Sequence, residues 1–264
     1  MKNARTVIVA LALCLGGVSK LEAQTPPWVF GFGTGFNFMT IDGTQGFNTS
    51  LFGPIEVDFD LDPDEILDLV ETAFGFATFA TNGTWMFKFS LFNIQLGDGG
   101  ASTLENGDPF TADARFEILG SDLTVGYTVY RSPGRKFALR PHVGVRYTSQ
   151  ELGLDMTVTS ATGTTTASPL VEESWTDFLV GTTVDISLVP RLGWSTVFDA
   201  GFGGSNGTYK VSTALAWRAW RRLSLSPNMS FTSEDYENGT KGDVDWYLYD
   251  AETITFGLNA MFTF

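Results

Sequence analysis

Phe256-Gly257-Leu258-Asn259-Ala260-Met261-Phe262-Thr263-Phe264 is apolar at every second position, with small or polar residues between. Alternation of period two places one set on each face of a β-strand. A terminal aromatic residue matches the interfacial girdle position of a strand in a transmembrane barrel. A second stretch answers the first. Trp28, Phe30, Phe32, Phe36 and Phe38 alternate with Gly31, Gly33, Gly35 and Asn37, with Thr34 among the even positions. Bulky residues against glycine suit a strand with lipid outside and a crowded lumen inside. An open sheet edge in hydrocarbon leaves backbone groups unpaired, so these two stretches are expected to pair and close a barrel.

Residues 1–23 read as a secretory signal peptide, with Lys2 and Arg5 before an apolar run from Thr6 to Val18 and a small residue at Ala23. The run is too short for a helical span. Leu13 is too large for a lipoprotein site at Cys14. Residues 24–264 then form one large all-β domain without cysteine. Losing Lys2, Arg5, Lys20 and Glu22 turns a formal charge of −14 into 13 basic against 29 acidic residues, or −16. Such a balance argues against nucleic acid as a partner. No other stretch approaches 18 consecutive apolar residues, which excludes helical spans.

Alternating segments fall near 28–39, 73–81, 85–96, 114–130, 136–150, 175–189, 193–203, 208–219, 223–234 and 253–264. The tight connections are Asn82-Gly83, Ser132–Arg135, Pro190–Gly193 and Trp220–Arg222. Those near 40–72, 97–113, 151–174, 204–207 and 235–252 are mostly long, and the two kinds alternate along the chain. Short periplasmic turns and long outer loops are the pattern of an outer-membrane barrel. The prediction is a transmembrane, antiparallel, up-and-down β-barrel of ten strands, with eight as the alternative. Asn82-Gly83 is read as a hairpin turn with positive φ at both residues. Asp62-Pro63-Asp64-Glu65 before Ile66, Leu67 and Val70 predicts a short capped helix in the first outer loop, across the mouth or at the interface.

The outward faces collect residues such as Trp85, Phe87, Phe89, Leu123, Val125, Val143, Val145, Phe178, Val180, Trp194 and Phe198. The opposite face collects Lys88, Asp122, Arg140, His142, Arg146, Asp177, Asp185, Asp199, Lys210, Arg218 and Glu234. A narrow lumen is filled by side chains and buried charges must be paired, so these residues are expected to form a salt-bridged plug. Arg140 or Arg146 should meet Asp122, Asp177 or Asp185 on neighbouring strands. Asp58, Asp60, Asp62 and Asp64 are the candidates for a divalent-cation site, but the glycine of a calcium loop is missing. Asp177, Asp185 and Ser187 could in principle complete a triad with His142. Such residues are common in barrel interiors, and His142 reads as a lumen histidine.

Three blocks carry a family resemblance: Asp64–Leu69 with Asn82–Trp85; Val143–Tyr147; and Trp175–Gly181 with Asp199–Gly203 and the terminal phenylalanine. They resemble the small outer-membrane β-barrel proteins of Gram-negative bacteria, in the company of the OmpA and OmpW barrels and of a group of barrels of about this length. The resemblance covers most of residues 24–264, and its motifs are structural. It implies export by the general secretory route, residence in the outer membrane and contact with its lipid and lipopolysaccharide. It also implies that Phe264 resembles the signal read by the barrel-assembly machinery. Barrel hydrolases of this size class hold their sites nearer the outer rim than His142. The functional expectation is a monomeric integral barrel without enzymatic activity or cofactor, structural or a narrow passive pore for small solutes. The alternatives are a surface protein binding divalent cations, lipopolysaccharide or a host or phage ligand through its loops, and a barrel hydrolase of lipid or peptide.

Overall fold

The computed structural model describes residues 27–49, 53–103, 109–160, 163–168 and 170–264. The expected signal peptide and Cys14 lie outside them. The long strands are β1 (Val29–Thr49), β3 (Val70–Thr81), β4 (Trp85–Thr103), β5 (Pro109–Tyr127), β7 (Phe137–Ser160), β9 (Leu170–Val189), β10 (Leu192–Phe202), β11 (Gly207–Arg218), β12 (Leu223–Asn238) and β13 (Tyr247–Thr263). Each pairs antiparallel with its neighbours in the order β13-β12-β11-β10-β9-β7-β5-β4-β3-β1, and β1 pairs back onto β13. This is the ten-stranded ring expected from sequence. The closing seam runs from Gly31 opposite Thr263 to Phe47 opposite Tyr247. At the end of the seam nearest the chain terminus Phe30 N–H donates to Phe264 O at 3.1 Å and Phe264 N–H to Phe30 O at 3.0 Å. The β10–β11 hairpin, with the shortest outer connection read from sequence, is present from Leu192 opposite Trp217 to Gly201 opposite Thr208.

Three short strands decorate the ring: β2 (Gly53–Leu61) on the outer half of β1, β6 (Tyr130–Arg131) on β7, and β8 (Gly163–Ala167) on the outer end of β7. The helix α1 (Pro63–Leu69) follows β2, as Asp62 to Val70 predicted. Its capping box joins Asp62 and Glu65, and its apolar side presents Ile66, which is 4% exposed. The helix contacts β1 and β4, so it packs inward where β2 and β3 part. The turn at Asn82-Gly83 differs from expectation. Only Gly83 has positive φ, at 82°, while Asn82 Oδ1 accepts from Thr84 N–H at 3.0 Å and Trp85 N–H at 2.8 Å. The asparagine side chain itself holds the reversal.

Four connections read as long loops are largely strand. β1, β4, β5, β7, β9, β12 and β13 all continue beyond the segments predicted for them, and the alternation changes sense as they do. In the lower barrel the outward set is apolar and exposed: Phe32 45%, Phe87 42%, Val143 49%, Phe198 46% and Phe256 43%. Apolar surface on this scale needs a non-aqueous surround. Above Tyr147, Phe178, Tyr209, Phe231 and Ile254 the outward residues become polar or acidic, such as Ser149, Glu151, Ser233, Asp235, Glu252 and Asp250. There the inward residues become apolar. On β2, Ile55, Phe59 and Leu61 pack inward while Glu56, Asp58 and Asp60 face out. The upper barrel therefore has the polarity of a soluble β-protein and the lower barrel the reverse. Arginine in place of Val143, in the middle of the lipid-facing set, should cost about 2–4 kcal/mol, against about 0–1 kcal/mol for arginine in place of Ser149 above it. Urea unfolding of the two variants from lipid vesicles measures the difference.

Candidate functional site

The interior has two layers. In the lower layer the β-register delivers charged side chains to one arc of the wall, from β4 to β11. Arg146 on β7 stands directly across from Asp122 on β5 and binds it with two contacts, Nε to Oδ1 at 2.8 Å and Nη2 to Oδ2 at 3.1 Å. The planar fork of a guanidinium matches a carboxylate in this way. Lys210 on β11 lies 3.7 Å from the same carboxylate, and three strands separate β5 from β11 around the ring. Arg140 Nη1 donates to Asp185 Oδ2 at 3.1 Å, and Ser195 Oγ donates to Asp185 Oδ1 at 2.8 Å.

His142 Nε2 lies 2.5 Å from Asp199 Oδ1. Their strands are not neighbours, since β9 runs between them. Gly181 occupies the intervening position, opposite both residues. A methyl group there would overlap both Asp199 Oδ1 and His142 Nε2, so this glycine lets the pair meet. Asp177 bonds no arginine among the described residues. It is fully buried and accepts from Gly204 N–H at 2.9 Å, Ser205 N–H at 2.8 Å and Ser205 Oγ at 2.6 Å, fastening the short β10–β11 turn to β9. Lys88 has no carboxylate within ion-pairing distance among the described residues. Arg218 is exposed at the C-terminal end of β11 and likewise has no ion pair among them.

Above the charges lies a layer that the sequence reading missed. Ile41, Phe47, Ile66, Ile94, Leu96, Ile118, Trp175, Tyr236, Tyr247, Tyr249 and Ala251 form a buried cluster inside the outer barrel. Trp175 and Tyr236 stack with ring centroids 4.0 Å apart at 11°. Polar bonds cross the lumen within this layer. Tyr247 Oη on β13 donates to Gln150 Oε1 on β7, and four strands separate β7 from β13 by either route. Gln45 Nε2 donates to Tyr247 Oη at 3.0 Å, and Tyr236 Oη on β12 donates to Glu173 Oε2 on β9 at 2.9 Å. Glu234 on β12 accepts from Thr148 Oγ1 on β7 at 3.2 Å and from Trp175 Nε1 at 3.1 Å. Burial pushes the Glu234 carboxyl above its ordinary range, against the opposing pull of Arg146. The signal for this layer was present in the alternation of Ile55, Phe59 and Leu61 with Glu56, Asp58 and Asp60.

The candidate cation ligands do not converge. Asp58 and Asp60 face out from β2 and Asp58 accepts from Thr44 Oγ1 at 2.7 Å; Asp62 caps α1 and Asp64 lies in its first turn. Among the described residues no cluster of three or more carboxylate, histidine or cysteine side chains could hold a metal ion. The strand-to-helix change at Asp62 turns the later two carboxylates away from the line of the first two.

No protein-family model matches the chain, and no curated protein sequence matches it. Solved structures do. OmpT from Escherichia coli, an outer membrane protease, matches with a TM-score of 0.57 at 7% identity, covering 93% of this chain and 99% of that one. The translocator domain of the autotransporter NalP from Neisseria meningitidis gives a TM-score of 0.40 at 10% identity, covering 97% and 94%. Ail, the attachment invasion locus protein of Yersinia pestis, gives 0.32 at 12%, covering 89% and 99%. The fold is that of an outer-membrane β-barrel. The match to OmpT also corrects one expectation. A protease has this barrel architecture, so the fold does not support the sequence-based exclusion of enzymatic activity.

Replacing Asp122 by alanine should strand the Arg146 guanidinium in the lumen and cost about 3–5 kcal/mol. Replacing exposed Arg218 should stay within about 0.5 kcal/mol, both read by denaturant unfolding. Because the folded-state pKa of Glu234 is raised, its stabilising contribution is present below the unfolded carboxylate pKa and lost as pH rises through the folded value. Glu234→Gln should therefore gain stability relative to wild type as pH increases from about 4 upward. A pH-independent difference between the two unfolding curves would contradict this.

Proposed function

We propose that this chain is an integral protein of the Gram-negative outer membrane whose barrel is closed toward the cell exterior at rest. The observation that carries the reading is the set of bonds crossing the lumen, above all Tyr247 to Gln150, between strands with four others on either side. A through pore needs a continuous aqueous path. Here Lys210 with Asp122, Glu234 with Thr148, and the Trp175–Tyr236 stack each tie strands that are not neighbours. The lumen charges serve as the lower part of this closure, with Asp122 as the shared counter-charge of Arg146 and Lys210. The barrel is inserted after export by the general secretory route, as a monomer, with Phe264 as the contact for the assembly machinery. It sits in lipid and lipopolysaccharide in the company of the OmpA and OmpW barrels, with acidic strands beyond the membrane.

A second reading, in which the outer strands bind a surface ligand, has its own support. Asp42 lies across from Asp60 on one side and Glu252 on the other, with Asp58 and Asp250 flanking Thr44 one step further out. Like charges in direct cross-strand register are unfavourable, so a cationic partner would relieve them.

Planar-bilayer conductance tests the closed barrel. The wild-type protein should pass almost no current, and the double variant Trp175→Ala with Tyr249→Ala should open a measurable ionic path while retaining heat-modifiable mobility. A steady wild-type conductance at low voltage would overturn the closed reading.

A further inference from the structure

Among the described charges inside the lower barrel, Lys88 is left without a carboxylate at ion-pairing distance. Asp185 is held by Arg140 and Ser195, and Asp199 by His142. Lys88 is surrounded electrostatically by Asp185, Asp199 and Arg140, yet no carboxylate comes within 4.0 Å of it among the described residues. A cation drawn out of bulk water without a counter-charge is costly. The residue lines a recess in the lumen wall together with Met86, Thr124, Arg140, His142 and Thr183. Arg140 is oriented there by three contacts, Nε to Thr128 Oγ1 at 3.3 Å, Nη1 to Met86 Sδ at 3.3 Å and Nη1 to Asp185, while Nη2 makes no hydrogen bond among the described residues. Gly126 leaves the room for this, since a methyl group there would lie 2.8 Å from Arg140 Cδ.

The recess faces a part of the lumen whose far wall is built from short side chains. The inward positions of β11 and β12 below Lys210 include Ser212, Ala214, Ala216, Ser224 and Ser226, none of which is long enough to cross to the opposite wall. Asp185 keeps 37% of its side chain exposed there. The buried aromatic cluster lies on the outer side of this recess.

From this geometry we infer that Lys88 and Arg140, beside a recess with room for a single oxygen-sized group, bind one oxyanion group, carboxylate or phosphate, of a small solute entering from the periplasm. Lys88 supplies a cation with no carboxylate in contact, the free edge of Arg140 a second donor, and Thr124 and Thr183 neutral hydroxyls. The inference rests on the outward closure only for the side of entry.

The test uses the folded full barrel in detergent with ¹⁵N-lysine labelling. Inorganic phosphate and, separately, sodium acetate are titrated against sodium chloride at matched ionic strength. Phosphate, acetate or both should shift the Lys88 Nζ signal saturably, and the preferred probe identifies the oxyanion class. Lys88→Met should weaken binding about tenfold or more, whereas Lys88→Arg should stay within about threefold, since both cations suit an oxyanion. Absence of a saturable Lys88 shift with either probe would overturn the proposal, as would unchanged affinity in Lys88→Met. Should Lys88→Met fail to fold, the wild-type titration decides. An open pore in the bilayer experiment together with a saturable Lys88 shift would leave the site standing and reject only the closure.

Discussion

In hydrocarbon no water is available to satisfy an exposed N–H or C=O, so a sheet that crosses it must have no edge, and here β1 must find β13. The mutual bonds of Phe30 and Phe264 fasten one end of that seam, and the register continues unbroken to Phe47 and Tyr247. Because side chains alternate with period two, a slip of one residue at the seam would turn either Phe32 and Phe36 or Phe256 and Leu258 away from lipid. Closure therefore decides which residues meet lipid and which meet one another inside.

Inside, glycine and charge divide the work. A lumen lined only by long side chains would not let partners on non-adjacent strands approach. At Gly181 the absence of a side chain lets His142 reach Asp199, and at Gly126 it lets Arg140 lie against the wall. The short β10–β11 connection follows the same logic, for Asp177 turns its carboxylate to the Gly204 and Ser205 amides instead of to an arginine. A buried carboxylate needs donors, and backbone N–H groups serve as well as a guanidinium. This is why charge type alone did not predict the partner of Asp177 although it did suggest those of Arg140 and Arg146.

The ring of ten strands was legible because lipid imposes a strict rule on the outward face, and residues such as Trp85, Phe87 and Val143 obey it. Turn residues at Asn82-Gly83 and Ser132–Arg135 marked the reversals. The strand extensions were harder to read. Outside the membrane a strand can carry aspartate outward and isoleucine inward, so the acidic stretch around Asp58 and Asp60 resembled a solvated loop. Its alternation with Ile55, Phe59 and Leu61 was the available sign. The aromatic layer was hidden for a different reason. Trp175 comes from β9 while Tyr236 and Tyr249 face each other across β12 and β13, and only the curvature of the closed ring brings the three together. The non-convergence of Asp58 to Asp64 depends on the break from strand to helix at Asp62, which spacing alone does not reveal.

The inversion of polarity along the strands explains why the two interior layers are stacked in this order. The upper layer is rich in buried aromatic and aliphatic side chains, so any charge in or beside it loses solvation and must find a partner at short range. Asp122 accordingly takes both Arg146 and Lys210, and Glu234 is satisfied by Thr148 and Trp175. Lower down, the inward positions of β11 and β12 carry serine and alanine, and fewer of the charges facing them are paired. Asp185 remains partly open there and Lys88 remains without a carboxylate among the described residues. A cation without a carboxylate in contact needs water or a soluble anion within reach, which is what the proposed oxyanion site would supply to Lys88.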